Sequence, residues 1–223
     1  MKQHTIQAVA IDFDDTLCLT EAASFAMENE TLQRIGRPPM PRAIHKATWG
    51  VPLFVAILER SPGVDVEQFR EAYRPIIKAY VEAGKLDNIP AENYAALDHL
   101  IKAGKRLMLL TSRTHTELKH MLEPDHLLAS RITAFYHKDN TDHHKPDPRA
   151  FAPLLRDHQL QPQQCVYIGD SPSDAQAATQ AGLHFIASLE SGLRVREDFA
   201  AFRVDAFVDT FPDVVGAIEA LEN

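Results

Sequence analysis

Short apolar segments alternate with segments of helical spacing through most of the chain, and this alternation limits the fold more than any other feature. The first apolar segment, residues 6–11, is rich in β-branched residues and ends abruptly in a cluster of acids. Similar segments follow after residue 86, at residues 106–110, 134–136, 164–168, 184–187 and 206–208. Strands separated by helices form a parallel sheet with helices on both faces. The sequence therefore predicts an α/β fold with a doubly wound parallel sheet.

The stretch between residues 20 and 85 departs from this alternation. Its apolar residues recur at helical spacing, prolines interrupt it, and no segment in it has the character of a strand. We interpret it as a small helical unit inserted into the α/β domain. The predicted organisation is a core domain of residues 1–17 and 88–223 and an inserted helical domain of residues 18–87.

Composition argues against several classes of partner. The net charge of the 223-residue chain is −8, which disfavours non-specific binding to nucleic acid because such binding needs an excess of Lys and Arg. The two cysteines, Cys18 and Cys165, are too few for a disulfide scaffold, so we expect a protein of the reducing cytoplasm. No window of about 18 apolar residues predicts a membrane span, and the first ten residues do not resemble a signal peptide.

Four polar clusters each follow an apolar strand or a loop that comes after one. They contain Asp12 with Asp14, Thr111 with Ser112, Lys145, and Asp170 with Asp174. The carboxyl ends of strands in a doubly wound sheet meet at one edge, so we expect these side chains to converge. Four carboxylates there would repel one another and raise each other's pKa, and a hard cation such as Mg²⁺ would relieve this repulsion. With a lysine ammonium group and a threonine hydroxyl nearby, such a site could hold a phosphate group.

The same clusters resemble the four motifs of the haloacid dehalogenase-like superfamily, and they occur in that family's order. They are Asp12-Phe13-Asp14-Asp15-Thr16-Leu17, Thr111 at the end of its strand, Lys145 followed by Pro146-Asp147-Pro148, and Gly169-Asp170-Ser171-Pro172-Ser173-Asp174. The inserted helical stretch is similar to the helical cap domain that this family carries between its first and second motifs. The overall layout is most similar to that of the family's phosphoglycolate phosphatases.

The resemblance implies a catalytic role for each motif residue. Asp12 would be the nucleophile that attacks phosphorus and forms a phosphoaspartyl intermediate. Asp14 would protonate the leaving alkoxide and would then act as the general base for the hydrolytic water. Thr111 and Lys145 would bind the oxygens of the transferring phosphoryl group, and Ser112 would join them in binding the substrate. The resemblance thus implies a phosphatase acting on a small phosphorylated metabolite.

The resemblance also implies a set of ligands for Mg²⁺. Asp12, the backbone carbonyl of Asp14, and Asp170 would hold the ion. Asp174 would support its water molecules or coordinate it directly, although an acid at this position would also favour the N-terminus of the following helix.

Other functions remain as alternatives. A phosphomutase of the same superfamily would use the same Asp12 and Asp14 but return the phosphoryl group to a sugar. The sequence lacks the Lys-Gly-Val-Ser-Arg-like cap segment expected of sugar phosphomutases, which disfavours that alternative. Asp14 disfavours a haloacid dehalogenase, since it supplies the acid–base group that a phosphatase needs. A non-enzymatic phospho-receiver domain is disfavoured because such domains are shorter and lack a large helical insertion. The identity of the substrate and the choice between monomer and homodimer stay open.

Several further residues have two interpretations. Arg113 lies either on the surface or against the substrate, and Trp49 either packs in a core or faces the active site. Arg42, His45 and Lys46 are interpreted as surface charges, with contact to a substrate anion as the alternative. His143 and His144 are interpreted as members of a solvated loop, because no third nitrogen or sulfur ligand stands at a spacing typical of a metal site.

Overall fold

A computed structural model of the protein describes residues 5–223. The first four residues of the predicted core segment 1–17, and of the stretch inspected for a signal peptide, lie outside the described residues. The chain divides into two compact units. One contains the described residues up to Leu17 together with Ile89–Asn223, and the other is Cys18–Asn88.

The unit Cys18–Asn88 contains four helices. They are α1 (Thr20–Arg34), α2 (Arg42–Ala47), α3 (Leu53–Arg60) and α4 (Val66–Glu82). Helix α4 begins after Asp65, whose carboxylate accepts hydrogen bonds from the amides of Glu67 and Gln68 and so satisfies two donors of the first turn. Apolar residues of these helices and of the loops between them form a separate core, which includes Leu32, Met40, Ile57, Val64 and Phe69.

A cluster of charged side chains, buried except for that of Arg42, also lies within this helical unit. The fully buried imidazole of His45 lies between Glu21, at 2.7 Å from Nδ1 to Oε1, and Glu28, at 3.3 Å from Nε2 to Oε1. The guanidinium of Arg60 donates to both oxygens of Glu28 at 2.8 Å each, and Arg42 pairs with Glu21. His45 is therefore an interior residue, and its prediction as a surface charge was wrong. We call these five residues the helical-unit cluster.

The α/β unit is built on a six-stranded parallel sheet in the order β3-β2-β1-β4-β5-β6. The strands are β1 (Ala8–Ile11), β2 (Arg106–Leu110), β3 (Ala134–Tyr136), β4 (Cys165–Gly169), β5 (His184–Ser188) and β6 (Ala206–Val208). Strands β1 and β4 are buried along their whole length, as expected for central strands covered on both faces. The predicted α/β fold with a parallel sheet is confirmed.

Four helices of this unit lie between its strands along the chain, and a fifth follows β6. They are α5 (Ala91–Lys102), α6 (His115–Leu118), α7 (Ala152–Asp157), α8 (Pro172–Gln180) and α9 (Val214–Leu221). Residues 148–157 do not form one continuous helix, because a 3₁₀ turn, Pro148–Phe151, precedes α7. Pro153 explains the interruption, because it has no N–H to bond to the carbonyl four residues earlier. Among the described residues, no helix has the length and apolar character that crossing a bilayer requires.

Candidate active site

Three of the predicted site residues directly follow neighbouring strands. Asp12 follows β1, Thr111 follows β2 and Asp170 follows β4. Because β1 pairs with both β2 and β4 in parallel, the three residues lie at the same edge of the sheet. The backbone holds Asp12 in place, since its amide donates to the carbonyl of Ile168 on β4 at 2.9 Å.

The structure brings three of the predicted carboxylates together. Asp12, Asp170 and Asp174 each offer one carboxylate oxygen, and these oxygens all lie within 4.8 Å of one another. The side chains of Asp12 and Asp174 are buried, with 10% and 1% exposed. An oxygen-only set of three acids fits a hard divalent cation such as Mg²⁺ better than it fits zinc or copper.

The electrostatics of this cluster also fit a cation. Burial raises the pKa of Asp12 from 3.8 to about 7; Lys145 opposes the rise and the Asp174 carboxylate adds to it. Burial, followed by the carboxylates of Asp174 and Asp12, raises the pKa of Asp170 well above its ordinary value. The negative charges are therefore held at a cost in free energy, which a bound cation would lower.

Lys145 lies at the centre of the cluster. Its ammonium nitrogen is 2.8 Å from Oδ1 of Asp12, 2.7 Å from Oδ1 of Asp174 and 2.9 Å from the hydroxyl of Tyr167. Burial opposes its charge, but the two carboxylates outweigh burial and raise the pKa of Lys145 above its ordinary value. Lys145 is thus a fixed cation beside Asp12.

Tyr167 is a member of the site that sequence reasoning missed. It lies fully buried on β4, and its hydroxyl accepts from Lys145 and can donate to the carbonyl of Leu110 or to Oδ1 of Asp174, each at 3.2 Å. The only signal in the sequence is a tyrosine in an otherwise apolar strand, two residues before Gly169. A buried tyrosine hydroxyl needs a partner, and that need points toward the polar end of the strand.

Asp174 has two structural roles. Its Oδ2 accepts from the amide and the hydroxyl of Ser171, and its own amide bonds to the Ser171 hydroxyl, so the two residues form a capping box at the start of α8. Its other oxygen, Oδ1, faces Lys145. A Cβ at Gly169 would lie 2.6 Å from Cβ of Asp174, so only glycine leaves this side chain its place. The sequence had offered helix capping and a metal site as alternatives, and the geometry is compatible with both.

Asp14 is not one of the three clustered acids, and it pairs with Arg113. Nε of Arg113 lies 3.1 Å and 3.0 Å from the two oxygens of Asp14, and its terminal nitrogen lies 2.7 Å from Oδ1. The guanidinium also lies over the ring of Phe13, at 4.5 Å from its centroid. The Arg113 side chain is 14% exposed, so it is neither a free surface charge nor solvated.

Thr111, Ser112 and Lys145 line one small pocket at this edge, together with Leu110, Thr141, His143, His144 and Ala150. Thr111 is buried and Ser112 is exposed. The hydroxyl of Thr111 accepts from the amide of Arg113 at 3.2 Å, which orders the turn after β2. The three residues predicted to bind the substrate therefore share a pocket.

Comparison with known proteins identifies the family. The family model of the haloacid dehalogenase-like hydrolases matches residues 9–188. A phosphoglycolate phosphatase of Aliivibrio fischeri is 27% identical over 92% of this chain and 93% of its own length. One of Vibrio cholerae is 27% identical over 81% of this chain and 83% of its own.

Solved structures show the same fold. A HAD-superfamily hydrolase of Geobacter sulfurreducens is 22% identical, with a TM-score of 0.70 over 96% of both chains. A protein of Thermotoga maritima, provisionally described as a β-phosphoglucomutase, is 22% identical, with a TM-score of 0.76 over 96% of this chain and 99% of its own. The resemblance that the four motifs predicted is confirmed. The chain belongs to the haloacid dehalogenase-like hydrolase family and is an enzyme.

Proposed function

We propose that this enzyme is a magnesium-dependent phosphomonoester hydrolase that forms a phosphoaspartyl intermediate on Asp12. The observation that carries the proposal is the position of Asp12. Its buried carboxylate follows the central strand, shares a cluster with Asp170 and Asp174, and lies 2.8 Å from the ammonium group of Lys145. The similarity to enzymes named phosphoglycolate phosphatases supports this choice of chemistry.

In the first step, a carboxylate oxygen of Asp12 attacks phosphorus, and the bond from phosphorus to the ester oxygen breaks. Charge in the transition state spreads over the equatorial phosphoryl oxygens, so the donors near them stabilise it most. Lys145 and the hydroxyl of Thr111 line the pocket beside Asp12 and supply those donors. Bound Mg²⁺, held by Asp12, the carbonyl of Asp14 and Asp170 with support from Asp174, would screen the repulsion between nucleophile and phosphate.

Asp14 moves the protons in both steps. It gives a proton to the departing alkoxide, and it later takes one from the water that attacks the phosphoaspartate. Its place two residues beyond the nucleophile puts a second carboxylate outside the strand, where it is 36% exposed and pairs with Arg113. The two aspartates of the first motif thus have separate environments and separate tasks.

The proposed substrate is a small phosphorylated metabolite, and phosphoglycolate is the first to test because of the names of the relatives. The role of residues 18–87 as a cap that selects the leaving group remains a prediction. A phosphomutase stays the second candidate, because the Thermotoga maritima protein with the same fold carries that description.

The test is a panel of phosphate esters assayed with Mg²⁺ for free phosphate and for isomerised product. We expect phosphate release, and we expect Asp12→Asn to lower it by on the order of 10⁴-fold. Asp98→Asn makes the same change at an exposed carboxylate of the same unit and is expected to keep full activity.

Mass spectrometry of acid-quenched enzyme should find the phosphoryl group on Asp12. Undiminished turnover by Asp12→Asn would contradict the proposal, and isomer without free phosphate would identify a mutase.

A further inference from the structure

The contact between Arg113 and Asp14 joins two motifs that are 99 residues apart in sequence. An aspartate carboxylate rotates freely about its last torsion unless a partner fixes it. Here the guanidinium engages both oxygens of Asp14, with three contacts between 2.7 Å and 3.1 Å. Such a two-point contact fixes the plane of the carboxylate, which a single hydrogen bond would leave free to turn.

Arg113 is itself held in place. Its guanidinium stacks over the fully buried ring of Phe13, and its amide donates to the Thr111 hydroxyl. Its carbonyl accepts from the amide of Lys138 at 2.9 Å. Both ends of the residue are therefore anchored to the α/β unit, and the side chain can serve as a rigid support for the group it contacts.

We propose that Arg113 is the positioning residue for Asp14, fixing the carboxylate that transfers protons in the reaction. This inference rests on the proposed phosphatase function. It assigns to Arg113 neither of the roles considered from the sequence, which were surface charge and substrate contact. Proton transfer requires the acid to lie in line with the leaving oxygen, and a misplacement of about 1 Å costs on the order of 10²-fold in rate.

A positioning role predicts a loss that depends on the leaving group. An alkoxide leaves only when it is protonated, whereas 4-nitrophenolate leaves without a proton. The value of kcat/KM reports the steps up to the first irreversible one, which is formation of the phosphoaspartate with release of the alcohol. Substitution of Arg113 should therefore lower kcat/KM for alkyl esters and leave it little changed for 4-nitrophenyl phosphate.

The experiment compares Arg113→Met with Arg131→Met. Arg131 makes the same kind of contact away from the site, since it pairs with Asp98 at 2.7 Å and 2.9 Å and lies over the ring of Tyr94. We expect Arg113→Met to lower kcat/KM for the best alkyl ester of the panel by on the order of 10²-fold. Arg131→Met is expected to leave both esters unaffected, and thermal melting of the two variants controls for folding. Equal losses on the two esters, or no loss, would overturn the proposal.

A double-mutant cycle separates positioning from direct contact with the substrate. If Arg113 acts through Asp14, Arg113→Met should cost nothing further in the Asp14→Asn background, whereas a direct contact would give additive losses. Additive losses overturn the proposal while leaving the phosphatase function intact. If wild-type enzyme releases no phosphate from any ester, or Asp12→Asn retains full turnover, both proposals fall together.

Discussion

The two units of the protein each bury a cluster of charged side chains, and the clusters differ in how their charges are balanced. In the helical-unit cluster, Glu28 bonds to Arg60, Glu21 bonds to Arg42, and His45 lies between the two carboxylates. Each acid there has a permanent cation of its own. Burial of these groups is therefore compensated by residues of the chain itself.

The cluster at the edge of the sheet is not balanced in this way. Asp12, Asp170 and Asp174 approach within 4.8 Å, and the ammonium group of Lys145 contacts two of them. Burial, together with the repulsion from neighbouring carboxylates, raises the pKa values of Asp12 and Asp170. The charges of the helical-unit cluster are balanced within the chain, whereas the excess negative charge of the second cluster is compatible with a bound cation.

Breaking the balanced cluster should have the largest effect on stability. Arg60→Met leaves the buried carboxylate of Glu28 without its main partner, so we expect a loss of about 3–5 kcal/mol in the free energy of unfolding, measured by urea denaturation. Lys78→Met removes an exposed pair with Glu82 in the same unit and should cost well under 1 kcal/mol. Similar losses for the two variants would mean that the helical-unit cluster stabilises the fold no more than an exposed ion pair does.

Adding a cation should stabilise the unbalanced cluster. At Mg²⁺ concentrations about 100 times the dissociation constant, binding to the folded state adds roughly 2.7 kcal/mol of stability, visible as a rise in melting temperature that EDTA reverses. Asp170→Asn should abolish most of that rise. Glu28→Gln makes the same change from carboxylate to amide in the helical-unit cluster and should keep it. A rise of equal size in Asp170→Asn would place the ion elsewhere.

The smallest effect should come from removing the uncharged hydroxyl group of Tyr167 from the site. Tyr167→Phe removes a hydroxyl that accepts from Lys145, and loss of one hydrogen bond costs about 1 kcal/mol, or roughly fivefold in turnover. Tyr136→Phe removes a hydroxyl that bonds to Asp157 at 3.3 Å, outside the site. If Tyr167→Phe and Tyr136→Phe have the same steady-state rate, Tyr167 does not hold Lys145 in the position that the reaction needs.

The location of the residues at the strand ends could be predicted from the sequence because two simple rules apply there. Apolar runs locate the strands, and parallel pairing brings their carboxyl ends together, so Asp12, Thr111 and Asp170 could be placed at one edge without coordinates. The contacts of Arg113 and Tyr167 follow no such rule. They depend on which way individual side chains turn, and their partners lie 99 and 22 residues away along the chain.

In the helical unit, too, the sequence predicted the helices but not the contacts of individual polar side chains. Spacing predicted its helices, since apolar residues such as Leu32, Ile57 and Phe69 recur on their inner faces. It could not predict the burial of His45, because charged and titratable residues are on the surface by default. The buried imidazole is held by Glu21 and Glu28 of α1, and Glu28 is in turn paired with Arg60 of α3.

The capping box at Asp174 has a further consequence for how the enzyme can work. One oxygen of this carboxylate closes the first turn of α8, while the other faces the ammonium group of Lys145. Asp174 cannot swing aside during turnover without fraying the helix that begins beside it. Any motion during a catalytic cycle would therefore have to leave this side chain in its place.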